Sequence, residues 1–296
     1  MIPVRNREKF IEACLDSVRK QTVEINSVFV VDDGSTDRTR EILFEYAARW
    51  PVLKVMHSDR RGVSRARNLG IAASEADFVA FLDSDDLWRP RKLELQMALF
   101  NNNSASPGFV HCACTQIDEL GQPLAGTGVF SPSKRGNIFE DMVRHFYHIS
   151  GSASAVVVRR ELVNAVGRFD ESISIAEDKD LWMKLAQISD ADYVPDALVE
   201  LRSHSDNTFS SLARHEPEFV LFQKLRIWNR WYTFIAHHSD TLDRFRREVR
   251  AISAGTEANK MPDLALYEKL ANSGIELAEV LFPDRGAFIR FHHSQP

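Results

Sequence analysis

Two acidic clusters stand out, each directly after a run of apolar residues. In Phe81-Leu82-Asp83-Ser84-Asp85-Asp86, three carboxylates fall within four residues. Acids this close repel one another and raise the cost of folding unless something cationic sits among them. The Asp-x-Asp spacing offers hard oxygen ligands suited to Mg2+ or Mn2+, an ion that would then bridge substrate phosphates. A solvated turn capping the helix that starts near Pro90 explains one of the acids but not three. The other cluster is Val30-Val31-Asp32-Asp33-Gly34-Ser35-Thr36-Asp37. A carboxylate at that strand end could accept hydrogen bonds from a nucleobase edge. Taken alone, the segment is as simply an acidic turn in which Ser35 or Thr36 caps the next helix.

Three further segments carry polar chemistry. Gly62-Val63-Ser64-Arg65-Ala66-Arg67-Asn68-Leu69-Gly70 combines small residues, which let a helix approach a sheet closely, with two guanidinium groups. Arg65 and Arg67 either reach ribose or diphosphate oxygens or lie exposed on an amphipathic helix. Ile175-Ala176-Glu177-Asp178-Lys179-Asp180-Leu181-Trp182 places acids in the first turn of a helix. There the helix dipole favours them, and one of Glu177 and Asp178 could act as a general base on an attacking hydroxyl. In Leu201-Arg202-Ser203-His204, the imidazole is either a packed residue or an additional metal ligand.

The elements that must position these groups can be read from periodicity. Met1–Val4, Val28–Val31, Val52–Met56 and Phe78–Leu82 read as strands, the last apolar enough for a buried parallel strand. Helical patterns alternate with them, as in βαβ units. The acidic turns thus fall beyond strand carboxyl ends, where open α/β sheets gather their ligands. From Phe109 to about Arg202, strands and helices mix, ending on a strand-like Leu198–Arg202. Beyond Glu216 the chain turns helical and aromatic, which sets a boundary near residue 213. With 296 residues, 44% hydrophobic and 27% charged, the composition is that of a soluble globular protein. A net charge of -5 gives no basis for a nucleic-acid partner. Cys14, Cys112 and Cys114 lack the companions of a zinc site and read as reduced thiols of a cytoplasmic protein. Neither a signal peptide nor a run of about 20 apolar residues is visible. No Gly-x-Gly-x-x-Gly follows a strand and no Gly-x-x-x-x-Gly-Lys occurs, which excludes dinucleotide dehydrogenases and P-loop enzymes.

Taken in order, these segments, together with Pro3-Val4-Arg5-Asn6 and Gly167-Arg168-Phe169-Asp170-Glu171, resemble the inverting family 2 glycosyltransferases. The resemblance runs from Met1 to about Asn207. It implies the GT-A fold: a Rossmann-like, mostly parallel central sheet flanked by helices, here as residues 1–213, with a helical C-terminal appendage at 214–296. By the same resemblance Pro3, Val4, Arg5 and Asp32 or Asp33 line a nucleoside pocket, and Arg67, Asp83 and Ser84 approach the ribose and diphosphate. Asp85, with Asp86, binds Mn2+ or Mg2+, and His204 joins them or touches the diphosphate. Asp178 matches the catalytic base, with Glu177 beside it as the alternative. The Ser150-Gly151-Ser152 turn and the Phe169-Asp170-Glu171 loop lie where donor sugar and acceptor approach. The implied partners are a nucleotide sugar, a UDP-sugar first, and a carbohydrate or lipid-linked acceptor in bacterial surface polysaccharide or glycolipid assembly. The alternative is a non-catalytic nucleotide-sugar-binding or scaffold member of the family. Family members usually carry more residues ahead of the Pro3 position, so the first strand is expected to be short. Phe219, Phe222, Leu225, Trp228, Trp231 and Phe234 recur near helical spacing among basic residues. That face would pack on the catalytic domain, dimerise, or lie on the inner surface of the cytoplasmic membrane.

Overall fold

A computed structural model describes residues 1–102, 106–144, 149, 152–205 and, nearer the C-terminus, 223, 225–231, 234 and 235. The chain divides into two compact units, Met1–Phe139 with His148–His204, and Glu140–Tyr147 with Ser205–Pro296. The expected boundary near 213, together with Phe219 and Phe222, lies outside the described residues. In the second unit Leu225, Trp228 and Trp231 are buried at the spacing read from the sequence.

The first unit opens with β1 (Ile2–Val4), α1 (Ile11–Arg19), β2 (Val28–Asp32), α2 (Thr39–Arg49), β3 (Leu53–His57) and α3 (Val63–Ala73). The three strands form a parallel sheet in the order β1-β2-β3. Every residue of β2 is buried, as a strand covered on both faces requires. Helix α3 lies tight against the sheet at Gly70, where a Cβ would fall 2.1 Å from Met1 Sδ. The small residues of that segment therefore have the packing role expected of them.

Next come β4 (Phe78–Ala80), β5 (Leu87–Trp88), α4 (Lys92–Asn102), β6 (Phe109–Ile117), α5 (Phe139–Arg144), β7 (Val157–Arg159), α6 (Arg160–Ala165), α7 (Glu177–Ile188) and β8 (Ala191–Arg202). Helix α5 falls largely in the second unit. Strands β4-β7-β6-β8-β5 make a mixed sheet in which only β6 and β8 run parallel. The expected fourth strand is parallel along one edge only: β4 pairs antiparallel with β7, whereas Met1 meets Ala80 and Leu82 in the hydrogen-bond pattern of a parallel pair. An apolar run reports burial on both faces and says nothing of a neighbour's direction. The β4 ladder also ends at Ala80, two residues early, since Phe81 N donates to Val156 O and Leu82 N to Met1 O.

Met1 links the two sheets, its nitrogen donating to Ala80 O at 2.8 Å and its carbonyl accepting from Leu82 N at 3.1 Å. Strand β1 is short, as expected, and wholly buried; it pairs with β2, while Met1 just ahead of it carries the bonds to the second sheet. One core spans both sheets and includes Val4, Leu15, Val30, Leu43, Trp88, Val110 and Val199. Each such side chain contributes about 1.5–3 kcal/mol on burial, enough for the core to offset a costly cluster of charges at its rim. Strand β8 carries two register shifts, one between the partners of Cys112 and Ala113, where Pro195 cannot donate to a ladder, and one between those of Ala113 and Cys114, at Leu198. Past them its end pairs with β5 and leads into Arg202 and His204.

Candidate active site

The acidic turn leaves the Phe81–Leu82 segment and is gripped from three sides. Asp85 Oδ2 lies 3.0 Å from His204 Nε2 and 3.1 Å from Arg7 Nε. Arg7 stands just beyond the carboxyl end of β1, and His204 just beyond the end of β8. Burial pushes the Asp85 carboxyl up, but the His204 hydrogen bond and the Arg7 charge outweigh it and hold it below the usual carboxylate range. Phe10 packs against the His204 ring at a centroid distance of 4.8 Å and fixes its plane.

Asp86 turns the other way. Its Oδ2 accepts from Ser154 Oγ at 2.6 Å, and its Oδ1 accepts from Arg202 N at 2.9 Å. Ser154 Oγ also accepts from Asp83 N at 3.0 Å, and Arg202 Nε donates to Asp85 O at 2.8 Å. Asp86 is thus a tie between the turn, the 3-10 segment Ala153–Ala155 and the end of β8. Burial, with the charges of Asp85 and Asp83, raises its carboxyl well above the ordinary range. Ser84 is buried beside it.

Asp83 faces α3 instead. Its Oδ1 accepts from Arg67 Nη2 at 2.7 Å, and its Oδ2 accepts from Ser152 Oγ at 3.3 Å. Arg67 is 3% exposed, and its Nη1 donates to Glu177 Oε1 at 2.5 Å. One guanidinium therefore joins the acidic turn to the start of α7. Burial opposes its charge, yet Asp83 and Glu177 keep it firmly cationic. Three neighbours on α3 hold the loop before α7: Ser64 Oγ donates to Ile173 O, Arg65 pairs with Glu171, and Asn68 bonds Phe169 and Glu171. Positions 64, 67 and 68 share one helix face, so the segment works as a docking strip. Neither arginine lies free on an amphipathic helix.

Glu177 and Asp178 begin α7, whose dipole favours them. Burial, with the negative charge of Glu177, raises Asp178 to about 6. A carboxylate with that value is well matched to accept a proton near neutral pH. Asp178 Oδ1 accepts from Lys179 N at 2.8 Å.

At the ends of β1 and β2, Pro3 and Val4 are buried while Arg5 is exposed. Asp32 Oδ1 accepts from Ser35 N at 2.8 Å and its Oδ2 from Arg40 Nε at 3.0 Å. Burial raises this carboxyl, but these bonds outweigh it and hold it below its ordinary value. Asp33 accepts from Arg61 N and Gly62 N, each at 2.9 Å, and so pins the turn that leads into α3. Gly34, with φ of +75°, sits where a Cβ would fall 2.6 Å from Arg60 Cγ, so only glycine fits under that turn.

Backbone strain gathers here. Asn6, Arg60, Ser152 and Ala176 all have positive φ, and each adjoins or bonds a residue of the site or its supporting turns. Such conformations cost about 1–3 kcal/mol each and persist where the surroundings over-determine them. A separate cavity of about 360 Å³, lined by Ser106, Gly108, Arg159, Leu162 and Ser189 among others, contains none of these groups.

The structure thus brings Asp85 together with His204, and Asp83 with Arg67 and Glu177, while it turns Asp86 inward. Sequence reasoning gave no role to Arg7, Ser154 or Arg202. Arg202 belonged to a recognised segment, and Arg7 showed itself only as a cation just past a strand end. No group of three or more His, Cys, Asp or Glu side chains able to hold a metal occurs among the described residues. Asp85 and His204 alone offer one oxygen and one nitrogen ligand. That set suits a Mg2+ or Mn2+ ion that draws its other ligands from water and substrate phosphates. The Arg7 guanidinium already stands where positive charge is favoured.

Comparison with known proteins bears on the family and the fold. The sequence model described as Glycosyl transferase family 2 matches residues 1–163. A putative glycosyltransferase, EpsH of Bacillus subtilis, is 40% identical across 96% of this chain and 84% of its own length. An uncharacterized glycosyltransferase of Rickettsia bellii is 32% identical across 70% of this chain, and the match spans only 29% of that relative's length. Among solved structures, S. aureus TarS 1-349 in complex with UDP-GlcNAc aligns with a TM-score of 0.58 at 20% identity, covering 98% of this chain and 90% of that one. The same protein in complex with UDP gives 0.55 at 19% identity, with the same coverage.

Proposed function

The chain belongs to glycosyl transferase family 2 and has the GT-A fold, and on that premise we propose that it transfers a sugar from a UDP-sugar to an acceptor hydroxyl with inversion. The acceptor is a carbohydrate or lipid-linked glycan of surface polysaccharide or glycolipid assembly. The observation that carries this reading is the chain Asp83–Arg67–Glu177, which fixes the start of α7 against the acidic turn. That link gives a diphosphate-binding turn and a basic carboxylate one rigid relationship. Asp178 takes the proton of the acceptor hydroxyl as its oxygen attacks the anomeric carbon. The bond from that carbon to the diphosphate oxygen breaks on the opposite face, so a single displacement inverts the centre. A divalent cation held by Asp85 and His204 would stabilise the charge on the leaving diphosphate as a Lewis acid. Pro3, Val4, Arg5 and the Asp32–Asp33 turn form the nucleoside end of the site. Held carboxylates and a held base supply orientation without reorganisation at the moment of reaction.

Titration calorimetry with UDP, GDP and dTDP, each with Mn2+ and with EDTA, tests this reading. UDP binding that needs Mn2+ is expected. Equal binding in EDTA would sink the cation's role. Binding of none of the three would sink the donor site and favour a non-catalytic scaffold.

A further inference from the structure

We infer that Arg7 is the counter-ion of the Asp85 carboxylate in the donor-free protein, and that it makes divalent-cation binding depend on the donor's diphosphate. The inference rests on the reading of Asp85 and His204 as the cation's protein ligands. Arg7 Nε and His204 Nε2 share one oxygen, Asp85 Oδ2, at 3.1 and 3.0 Å. A guanidinium cannot be discharged by losing a proton in a protein. A cation approaching that oxygen therefore either displaces Arg7 or faces its full charge at close range.

The backbone of Arg7 does not yield. Its amide donates to Thr39 Oγ1 at 2.8 Å, and its carbonyl accepts from Phe10 N at 3.0 Å and Ile11 N at 2.9 Å. Only the side chain is free to adjust, and its remaining bonds are to the carbonyls of Arg5 at 3.4 Å and Asn6 at 3.1 Å. A bare cation gives the displaced guanidinium no new partner. A cation arriving with a nucleoside diphosphate brings anionic oxygens, which a guanidinium binds in its fork geometry. Cation and diphosphate then bind as a cooperative pair, each raising the other's affinity by the same factor.

The test is an electron paramagnetic resonance titration of Mn2+ into the full chain, without and with UDP, for the native protein, Arg7→Gln and Arg7→Lys. Arg7→Gln is expected to bind Mn2+ alone at least tenfold tighter than the native protein, and the gain conferred by UDP is expected to shrink by a similar factor. Arg7→Lys, which keeps the charge, stays near native behaviour. A misfolded variant cannot mimic a gain in affinity. The inference is overturned if Arg7→Gln binds Mn2+ alone no tighter than the native protein while Asp85→Ala abolishes binding. If Mn2+ fails to bind the native protein and Arg7→Gln even with UDP, the cation reading of Asp85 falls and takes this inference with it.

Discussion

Arg67 and Glu177 meet at 2.5 Å in the interior, 110 residues apart in the chain. Arg67 also holds Asp83, so a single cation balances two carboxylates that belong to different elements. Breaking such a group from one side leaves buried charge without compensation.

Arg67→Ala is therefore expected to lower stability by about 3–5 kcal/mol in denaturant unfolding, whereas Arg67→Lys, lacking the fork, loses less. Unchanged unfolding of Arg67→Ala would mean that the two carboxylates find water or other partners.

Asp178→Asn is expected to reduce transfer by at least about 10²-fold while UDP binding by calorimetry stays near native. The same change should raise stability near pH 7 by about 1–3 kcal/mol, because it removes a charge that burial disfavours. Loss of nucleotide binding in this variant would contradict its role as a base.

The pH dependence follows from the same group. With Asp178 at about 6 instead of 3.8, the folded chain holds a proton that the unfolded chain has released across that window. Its contribution to stability thus falls as pH rises from about 4 to about 6 and is constant above. Catalysis runs the opposite way: kcat/KM should fall about tenfold per unit below pH 6, since only the carboxylate accepts a proton. A profile flat down to pH 4.5 would exclude Asp178 as the titrating base.

Asp86 separates ligation from support. Asp86→Asn keeps an acceptor for Arg202 N and a hydrogen-bonding group for Ser154, so Mn2+ affinity measured with UDP should change less than about threefold. Asp86→Ala leaves both partners unsatisfied and should cost about 1–3 kcal/mol of stability. A large loss of Mn2+ affinity in Asp86→Asn would instead make Asp86 a ligand.

Asp33 pins the amides of Arg61 and Gly62. Asp33→Ala should release that turn, seen as trypsin cleavage after Arg60 or Arg61 at least several-fold faster than in the native chain. Equal cleavage rates would show that the turn holds its shape without the carboxylate.

Much of this was legible before the fold was known, because strands β1, β2 and β4 are apolar runs that stop at chemistry-bearing residues. The acidic turns beyond them carry their own signal in repulsion that has to be relieved. Partners were harder to read. Sequence displays the charge of Arg67 but not that Asp83 and Glu177 both pair with it. Likewise Asp86 has the chemical type of a metal ligand, and only the turn's geometry aims it at Ser154 and Arg202. The antiparallel β4–β7 pair and the two-residue β5 depend on long-range pairing, which leaves no local periodicity.

The docking strip on α3 has a consequence for how relatives of this chain can diverge. Ser64, Arg65, Arg67 and Asn68 fasten the 169–177 segment at a few points, two of them carbonyls, those of Phe169 and Ile173, that any residue supplies. Between these fastenings the exposed Ser172 and Ser174 are the positions with most room to change, whereas Ile173 and Ile175 are buried. Chimeras that exchange this segment while keeping Glu171, Glu177 and the buried Phe169, Ile173 and Ile175 would keep the start of α7 in place. Those that lose either acid would need a compensating change on the helix.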